Sequence, residues 1–422
     1  MEVSAGKIAR LLLASLLLMA VFMPSAGAAG GQIGLVFNGQ DFQADLYLEN
    51  GVSYISTASL GKIPGLTSEG DGYVPLRDFF ASQGGTVNWD KEKQSVAVSW
   101  RDKNNGWSAD DLVIESGRLL IEKNSYKMKG SATIEMSILG PPGGVAPETI
   151  EMTSFIEGAA RQEPLAVYVK QTMELPQGLP GQGMDINEES ALPLPDGMMC
   201  TEMVWAEGKI YQKTPLAEQW IVQDLAVTGM MENLTNMLQA SPQKALEMMR
   251  EFGILYVFGD DVEIDGQGYY TISNYIDSAT FKKILTEYLA EWDLAGLAAS
   301  PDGTFDQEVE EEGAADFAAG LDEIFQQLLK TIKIDYYVDT YVNKDTLLTD
   351  RMAFDMDMEY GLDETLNPEG AISIKMNMCG DFKLYDFGTG VQLPDLEDAI
   401  TQQEFMEKMF KEGMLNNTET AE

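Results

Sequence analysis

The chain is 422 residues long and carries 28 Lys and Arg against 68 Asp and Glu, for a formal charge of -40, with two Cys and no His. Without histidine there is no Ser-His-Asp triad, no Cys-His nucleophile pair and no imidazole metal site. The charge also repels the phosphates through which nucleic acids and anionic lipid surfaces are bound. Hydrophobic residues make up 45% of the chain, enough for a real core, and the length suggests two or three domains.

Residues 1–28 read as a secretory signal: basic Lys7 and Arg10, an apolar run from Leu11 to Met23, and a small-residue cleavage site at Ala26-Gly27-Ala28 after Pro24. The alternative, an uncleaved anchor, needs about 20 apolar residues, more than the run supplies. No Cys follows to accept a lipid. The mature chain is expected to be exported to the cell envelope or beyond, not lipid-anchored and not membrane-spanning.

A first unit, 32–101, starts with Ile33 to Phe37, the turn dipeptide Asn38-Gly39 and an extended stretch from Phe42 to Leu48, which predicts a hairpin. A strand leading into a short helix then occurs twice, at Tyr54 to Leu60 and at Tyr73 to Gln83, with Gly84-Gly85 closing the second helix. Thr86 to Asp90 and Ser95 to Trp100 predict a closing hairpin. The run Tyr73-Val74-Pro75-Leu76-Arg77, Gly84-Gly85, Val87-Asn88-Trp89-Asp90 and Val96-Ala97-Val98 resembles the copper amine oxidase N-terminal (stalk) domain. That resemblance implies an exported, wall-associated spacer module without copper or redox cofactor, and a cell-wall component as a possible partner.

A second unit, 119–396, is dominated by period-2 alternation, the signature of strands with one buried face. Tyr126, Met128, Ala132, Ile134, Met136 and Ile138 alternate with polar neighbours, as do Met352, Phe354, Met356 and Met358, and Ile372, Ile374, Met376 and Met378. Further strands are expected at Thr149–Glu157, Leu165–Glu174, Thr201–Tyr211, Ile254–Ile264, Gly268–Tyr275 and Ile332–Val342, together forming one large curved antiparallel sheet. Helical spacing marks Met230–Phe252, interrupted at Ser241-Pro242, Ser278–Trp292 with Ser278 as a cap, and Phe317–Thr331. The Pro- and Gly-rich stretch from Pro176 to Pro195 reads as a flap, and 397–422 as a helical tail. The fold class is therefore α+β: a small module plus a curved sheet wrapped on a few helices.

The segment Tyr336 to Met352, with its Lys344-Asp345-Thr346 turn, and the Trp205 to Lys213 hairpin with Trp220 downstream resemble the LolA/LppX/LprG-like half-barrels. The resemblance implies an exported half-barrel that can enclose an apolar pocket. Methionine adapts to irregular apolar ligands, so Met128, Met136, Phe155, Trp205, Met352, Phe354, Met356, Met358, Met376 and Met378 are candidate pocket residues for a lipid or other apolar molecule. The competing reading has the same residues packing the sheet against its own helices.

Asp302, Asp306, Glu308 and Glu310 to Glu312 could offer oxygens to Ca²⁺, but their spacing does not match a 12-residue calcium loop, and a solvated acidic loop accounts for them better. No protease or hydrolase signature is present, so no catalytic residue, metal or cofactor is expected. Cys200 and Cys379 share the outward parity of their strands and either form a disulfide or remain two reduced thiols. The functional expectation is an exported, non-catalytic envelope protein binding a lipid or apolar ligand. The alternative is a structural or interaction protein with a filled core.

Overall fold

The computed structural model describes residues 34–67, 70–91, 93–139, 148–174, 198–214, 219–224, 241–290, 326–362, 372–402, 404–405 and 407–408. The segment expected as a signal, the stretch expected as a flap at 176–195, the acidic stretch near 301–313, the N-terminal parts of the helices expected from Met230 and Phe317, and the end of the tail lie outside them.

The N-terminal unit comprises β1 (Gly34–Phe37), β2 (Gln40–Phe42), β3 (Leu46–Glu49), β4 (Val52–Ser56), α1 (Thr57–Leu60), β5 (Tyr73–Pro75), α2 (Leu76–Ser82), β6 (Thr86–Asp90) and β7 (Ser95–Ser99). The strand-into-helix unit does occur twice. The stretch expected as one strand from Phe42 divides instead: β2 joins a sheet ordered β2-β1-β7-β6, and β3 joins a sheet ordered β3-β4-β5. Asn38 and Gly39 make the first turn at positive φ, and Asn38 donates its amide to the Trp100 carbonyl. Ser56 caps α1 by accepting from the Ser59 amide, and Gly84, at φ +78, follows α2 in the left-handed region that glycine enters freely.

The core of this unit is closed by residues from far along the chain. Leu255 and Val257 pack with Phe37, Ile55, Leu60, Leu76 and Phe80 in one cluster, and the buried Gln40 amide donates to the Ile254 carbonyl at 3.0 Å. Lys62–Asp277 (2.7 Å) and Arg101–Asp260 (2.9 Å) add ion pairs across the same junction.

A helix outside the expected set is α3 (Ala109–Lys123), capped by Ser108, which accepts from the Asp111 amide, with Asp110 and Asp111 in its first turn. It runs through the position, Leu119, where the second unit was expected to begin. After it come β8 (Ser125–Leu139), β9 (Glu148–Arg161), β10 (Ala166–Glu174), β11 (Met198–Ala206), β12 (Lys209–Lys213), β13 (Ile221–Asp224), α4 (Pro242–Glu251), β14 (Val257–Phe258), β15 (Val262–Ile264), β16 (Gln267–Asp277), α5 (Ser278–Ala290), β17 (Lys333–Asn343), β18 (Thr349–Leu362), β19 (Ile372–Tyr385) and β20 (Ile400–Thr401). Residues 326–331 are helical. The single stretch expected at 254–264 is two short strands, and that at 201–211 is a hairpin turning at Glu207-Gly208.

These strands form one curved 13-stranded sheet, β14-β16-β17-β18-β19-β8-β9-β10-β11-β12-β13-β20, with β15 on β16. The chain's later strands, β16 to β19, enter beside β8, so the first and last parts of the unit meet at the sheet's centre. The fold class is the α+β arrangement expected from the alternation. The cap of α5 is Asp277, which accepts from the Thr280 amide at 2.8 Å, while the Ser278 hydroxyl bridges to the backbone of Ile334. Around Asp277, burial pushes the carboxyl up, but the bonds from Lys62 and Thr280 outweigh it and hold the group below the ordinary carboxylate value.

Three glycines stand where neighbouring strands crowd one face of the sheet. Gly380 on β19, Gly130 on β8 and Gly158 on β9 lie on a diagonal, each displaced by two residues along the next strand. A Cβ at Gly380 would stand 2.6 Å from the Ser131 carbonyl, and one at Gly158 2.6 Å from the Tyr168 carbonyl. The space above each is taken by a neighbouring side chain laid across it: Phe354 over Gly380, Phe382 over Gly130 and Met128 over Gly158. The two Phe rings stack with centroids 5.8 Å apart. Glycine thus lets strands and side chains approach closely on this face, which is also the face that α5 packs against and therefore the inside of the curve.

Candidate functional site on the concave face

Directly opposed residues share a face, so the register assigns each side chain to the concave or convex side. Two concave rows, Ile334–Met358–Met376–Met136–Ile150 and Tyr336–Met356–Met378–Ile134–Met152, lie under the helices. Phe281, Ile284 and Leu285 of α5, with Phe252 and Ile254 after α4, pack onto them. Met136, Met356, Met376 and Met378 are 3–8% exposed, and Met358 packs against the same cluster. These five candidate residues form closed core.

The next row, Val338–Phe354–Gly380–Ala132–Ser154–Met173–Met199, crosses the glycine diagonal. Beyond it the face changes character. The rows Met352–Phe382–Gly130–Ile156–Gln171–Thr201 and Leu384–Met128–Gly158–Val169–Met203–Gln212 are half-buried except at exposed Met352 and buried Leu384. The row Tyr126–Ala160–Val167–Trp205–Ile210 follows, again half-buried apart from Ala160. Burial raises the Tyr126 phenol above its ordinary value. Met128, Trp205, Met352 and Phe354, from the candidate list, belong to this floor or its margin. Ile156, Val169 and Met203 belong to it too and were missed, because β9, β10 and β11 mix polar and apolar residues on one face.

Phe155 does not join the pocket. It opposes Ser131 and Thr172 on the convex face and is 44% exposed. Its strand turns Ile150, Met152, Ser154 and Ile156 inward, and the serine among them disguises the parity.

The rows from Ile334–Ile150 to Tyr126–Ile210 carry no Asp, Glu, Lys or Arg on the concave side. The convex side holds them instead: Arg351–Lys383–Lys129–Glu157–Lys170–Glu202–Lys213 is one cross-strand row, and Asp277–Asp335–Asp357–Asn377–Glu135–Glu151 is another. Polar groups on the open floor are neutral. Gln171 donates its amide to Ser154 Oγ at 2.9 Å, and Thr201 stands directly opposite Gln171. Among the described residues no three His, Cys, Asp or Glu are grouped to hold a metal ion, and no helix is long and apolar enough to cross a membrane.

Cys200 and Cys379 are both free. They do point outward as their parity indicates, but β8, β9 and β10 lie between β19 and β11. At about 4.8 Å per strand step the separation is far beyond the roughly 7 Å a bridge spans, so the disulfide is corrected to two separate thiols. A shallow hollow of about 480 Å³ at the start of α3 is lined by Asn105, Gly106, Trp107, Asp111, Ile114 and Glu115. Its carboxylates are engaged: Asp111 accepts from Ser108 at 2.6 Å, and Glu115 pairs with Arg118 at 2.7 Å.

No protein-family model matches the chain, and no curated protein does. Among solved structures it is similar to LprF from Mycobacterium bovis, at 11% identity over 68% of this chain and 96% of that one, with a TM-score of 0.27. It is similar to the lipoprotein LppX from Mycobacterium tuberculosis at 10% identity over 67% and 98% of the two chains, with a TM-score of 0.26. A LolA superfamily protein from Nitrosomonas europaea aligns at 11% identity over 68% and 95%, with a TM-score of 0.17.

Proposed function

We propose that the protein is an exported, non-catalytic envelope protein whose curved sheet binds a lipid or other apolar molecule against its open concave floor. The observation that carries the reading is the contrast within one face. Half of it is packed shut by α5 and the segment after α4, while the rows holding Ile156, Val169, Met203 and Trp205 remain half-buried inside the curve. Apolar surface left inside a concavity favours an apolar occupant. Export follows from the signal-like residues 1–28, and exported material is expected to begin within a few residues of Ala29. The N-terminal module, read as a stalk-type element, is docked on this domain through Leu255 and Val257.

Native mass spectrometry of purified protein tests the reading. It expects co-purifying lipid that Met203→Glu removes at only a modest cost to the unfolding midpoint, since the bound lipid's own stabilisation goes with it. The buried Met136, Met356, Met376 and Met378 favour the second reading, a filled core with partners bound at the surface. A protein that carries no lipid and takes up no apolar probe would establish it.

A further inference from the structure

We infer that the occupant of the floor is an uncharged amphiphile, an acyl chain ending in an ester, amide or hydroxyl, and that Gln171 and Thr201 hold its polar group. The inference rests on the apolar-ligand reading above and narrows it. A carboxylate or phosphate carried onto these rows would lose its water with no cation on the rows, among the described residues, to replace it. Lys129 and Lys170, on the strands that build the floor, stand on the convex side by parity, and the chain's charge of -40 adds repulsion.

The floor is not pure hydrocarbon either. Gln171 and Thr201 face each other on neighbouring strands, with Ile156 beside them and Val169 and Met203 in the next row. Both are half-buried, and polar groups that an occupant takes out of water cost free energy unless they are bonded. Ser154 fixes the Gln171 amide by accepting from its Nε2. The Gln171 carbonyl oxygen and the Thr201 hydroxyl have no hydrogen-bond partner among the described residues. Together they offer one acceptor and one donor: an ester carbonyl accepts from Thr201, and a hydroxyl or amide N–H donates to Gln171.

The test compares a pyrene-labelled dodecanoic acid with its methyl ester at about pH 7.5, two probes alike except in charge, together with an oxygen-free pyrenyl alkane. The ester is expected to bind roughly tenfold or more tightly than the acid. In a Gln171→Leu/Thr201→Val variant, ester affinity is expected to fall by about tenfold while alkane affinity holds. Near-UV circular dichroism checks the variant's fold, and Thr201→Val alone serves if the double variant does not fold. Equal binding of acid and ester, or preference for the acid, overturns the inference and leaves the apolar-ligand reading standing. Ester binding unchanged in the variant, or lost in step with the alkane, overturns the role of the two side chains. If the wild type binds none of the three probes, the reading itself fails and the inference with it.

Discussion

Gly380→Ala is the sharpest test of the crowding along the glycine diagonal. In an ordinary strand the change is stabilising by about 0.5–1 kcal/mol, because glycine loses more backbone freedom on folding. Here the new methyl would stand 2.6 Å from the Ser131 carbonyl, 2.8 Å from Phe354 Cε1 and 3.0 Å from Ala132 Cβ. Two of these neighbours are fixed by the ladder, so β19 and β8 must part, at roughly 1–3 kcal/mol for overpacking. Moving the Phe354 ring also breaks its stack on Phe382, a contribution of about 0.5–1.5 kcal/mol. Set against the entropic gain, the net loss is about 2 kcal/mol. The control is Gly268→Ala, where the nearest atom is the flexible Lys344 Cδ at 3.4 Å and the expected effect is neutral to slightly stabilising. Urea unfolding followed by far-UV circular dichroism measures both, the midpoint falling for Gly380→Ala with the slope unchanged. If Gly380→Ala is as stable as Gly268→Ala, the strands are not crowded at the diagonal.

Met356→Lys places an unpaired charge at a site 4% exposed and should cost about 3–5 kcal/mol, whereas Met203→Glu on the half-buried floor should lower the unfolding midpoint far less; similar losses would erase the distinction between the helix-covered rows and the floor. Alkylation without reductant should modify two thiols, exposed Cys379 before half-buried Cys200, and a mass showing a disulfide would refute the strand order. Because the folded-state value of Asp277 is depressed, its pairing stabilises the fold above the unfolded carboxyl value near 3.9 and is lost as pH falls through the lower folded value. Asp277→Asn should therefore be less stable near neutrality and show a flatter loss of stability below about pH 4, and an acid limb as steep as that of the wild type would count against the pairing.

Much of the sheet can be read directly from alternation. The strands around Met128–Met136, Met352–Met358 and Met376–Met378 write their two faces plainly, and a curved antiparallel sheet follows from their number and length. What alternation cannot convey is which rows a helix covers, so the methionine stripe reads as one surface although part of it is buried under α5 and part is only half-buried. Nor does it reveal neighbours: β19 lies beside β8 through a pairing of residues far apart in sequence, which is why the distance between Cys200 and Cys379 could not be judged. Phe155 and Gln171 show the remaining limit. Ser154 and Gln171 face inward with apolar residues, and a polar side chain on the inner parity hides a strand's orientation. α3 was legible in part, since Ser108 followed by Asp110 and Asp111 is a helix start.

The way Leu255 and Val257 complete the N-terminal core bears on how the protein is made. Synthesis delivers the first unit well before the residues that close it, so the segment that emerges earliest has a gap in its interior until much of the second unit has followed. Folding that usually proceeds from the N-terminus as the chain grows is here deferred. Under the export proposed above that delay is useful, because a polypeptide with no finished domain at its leading end is easier to thread through a membrane. It also means that a fragment cut after Arg101 would leave Phe37, Leu60 and Phe80 without their cover.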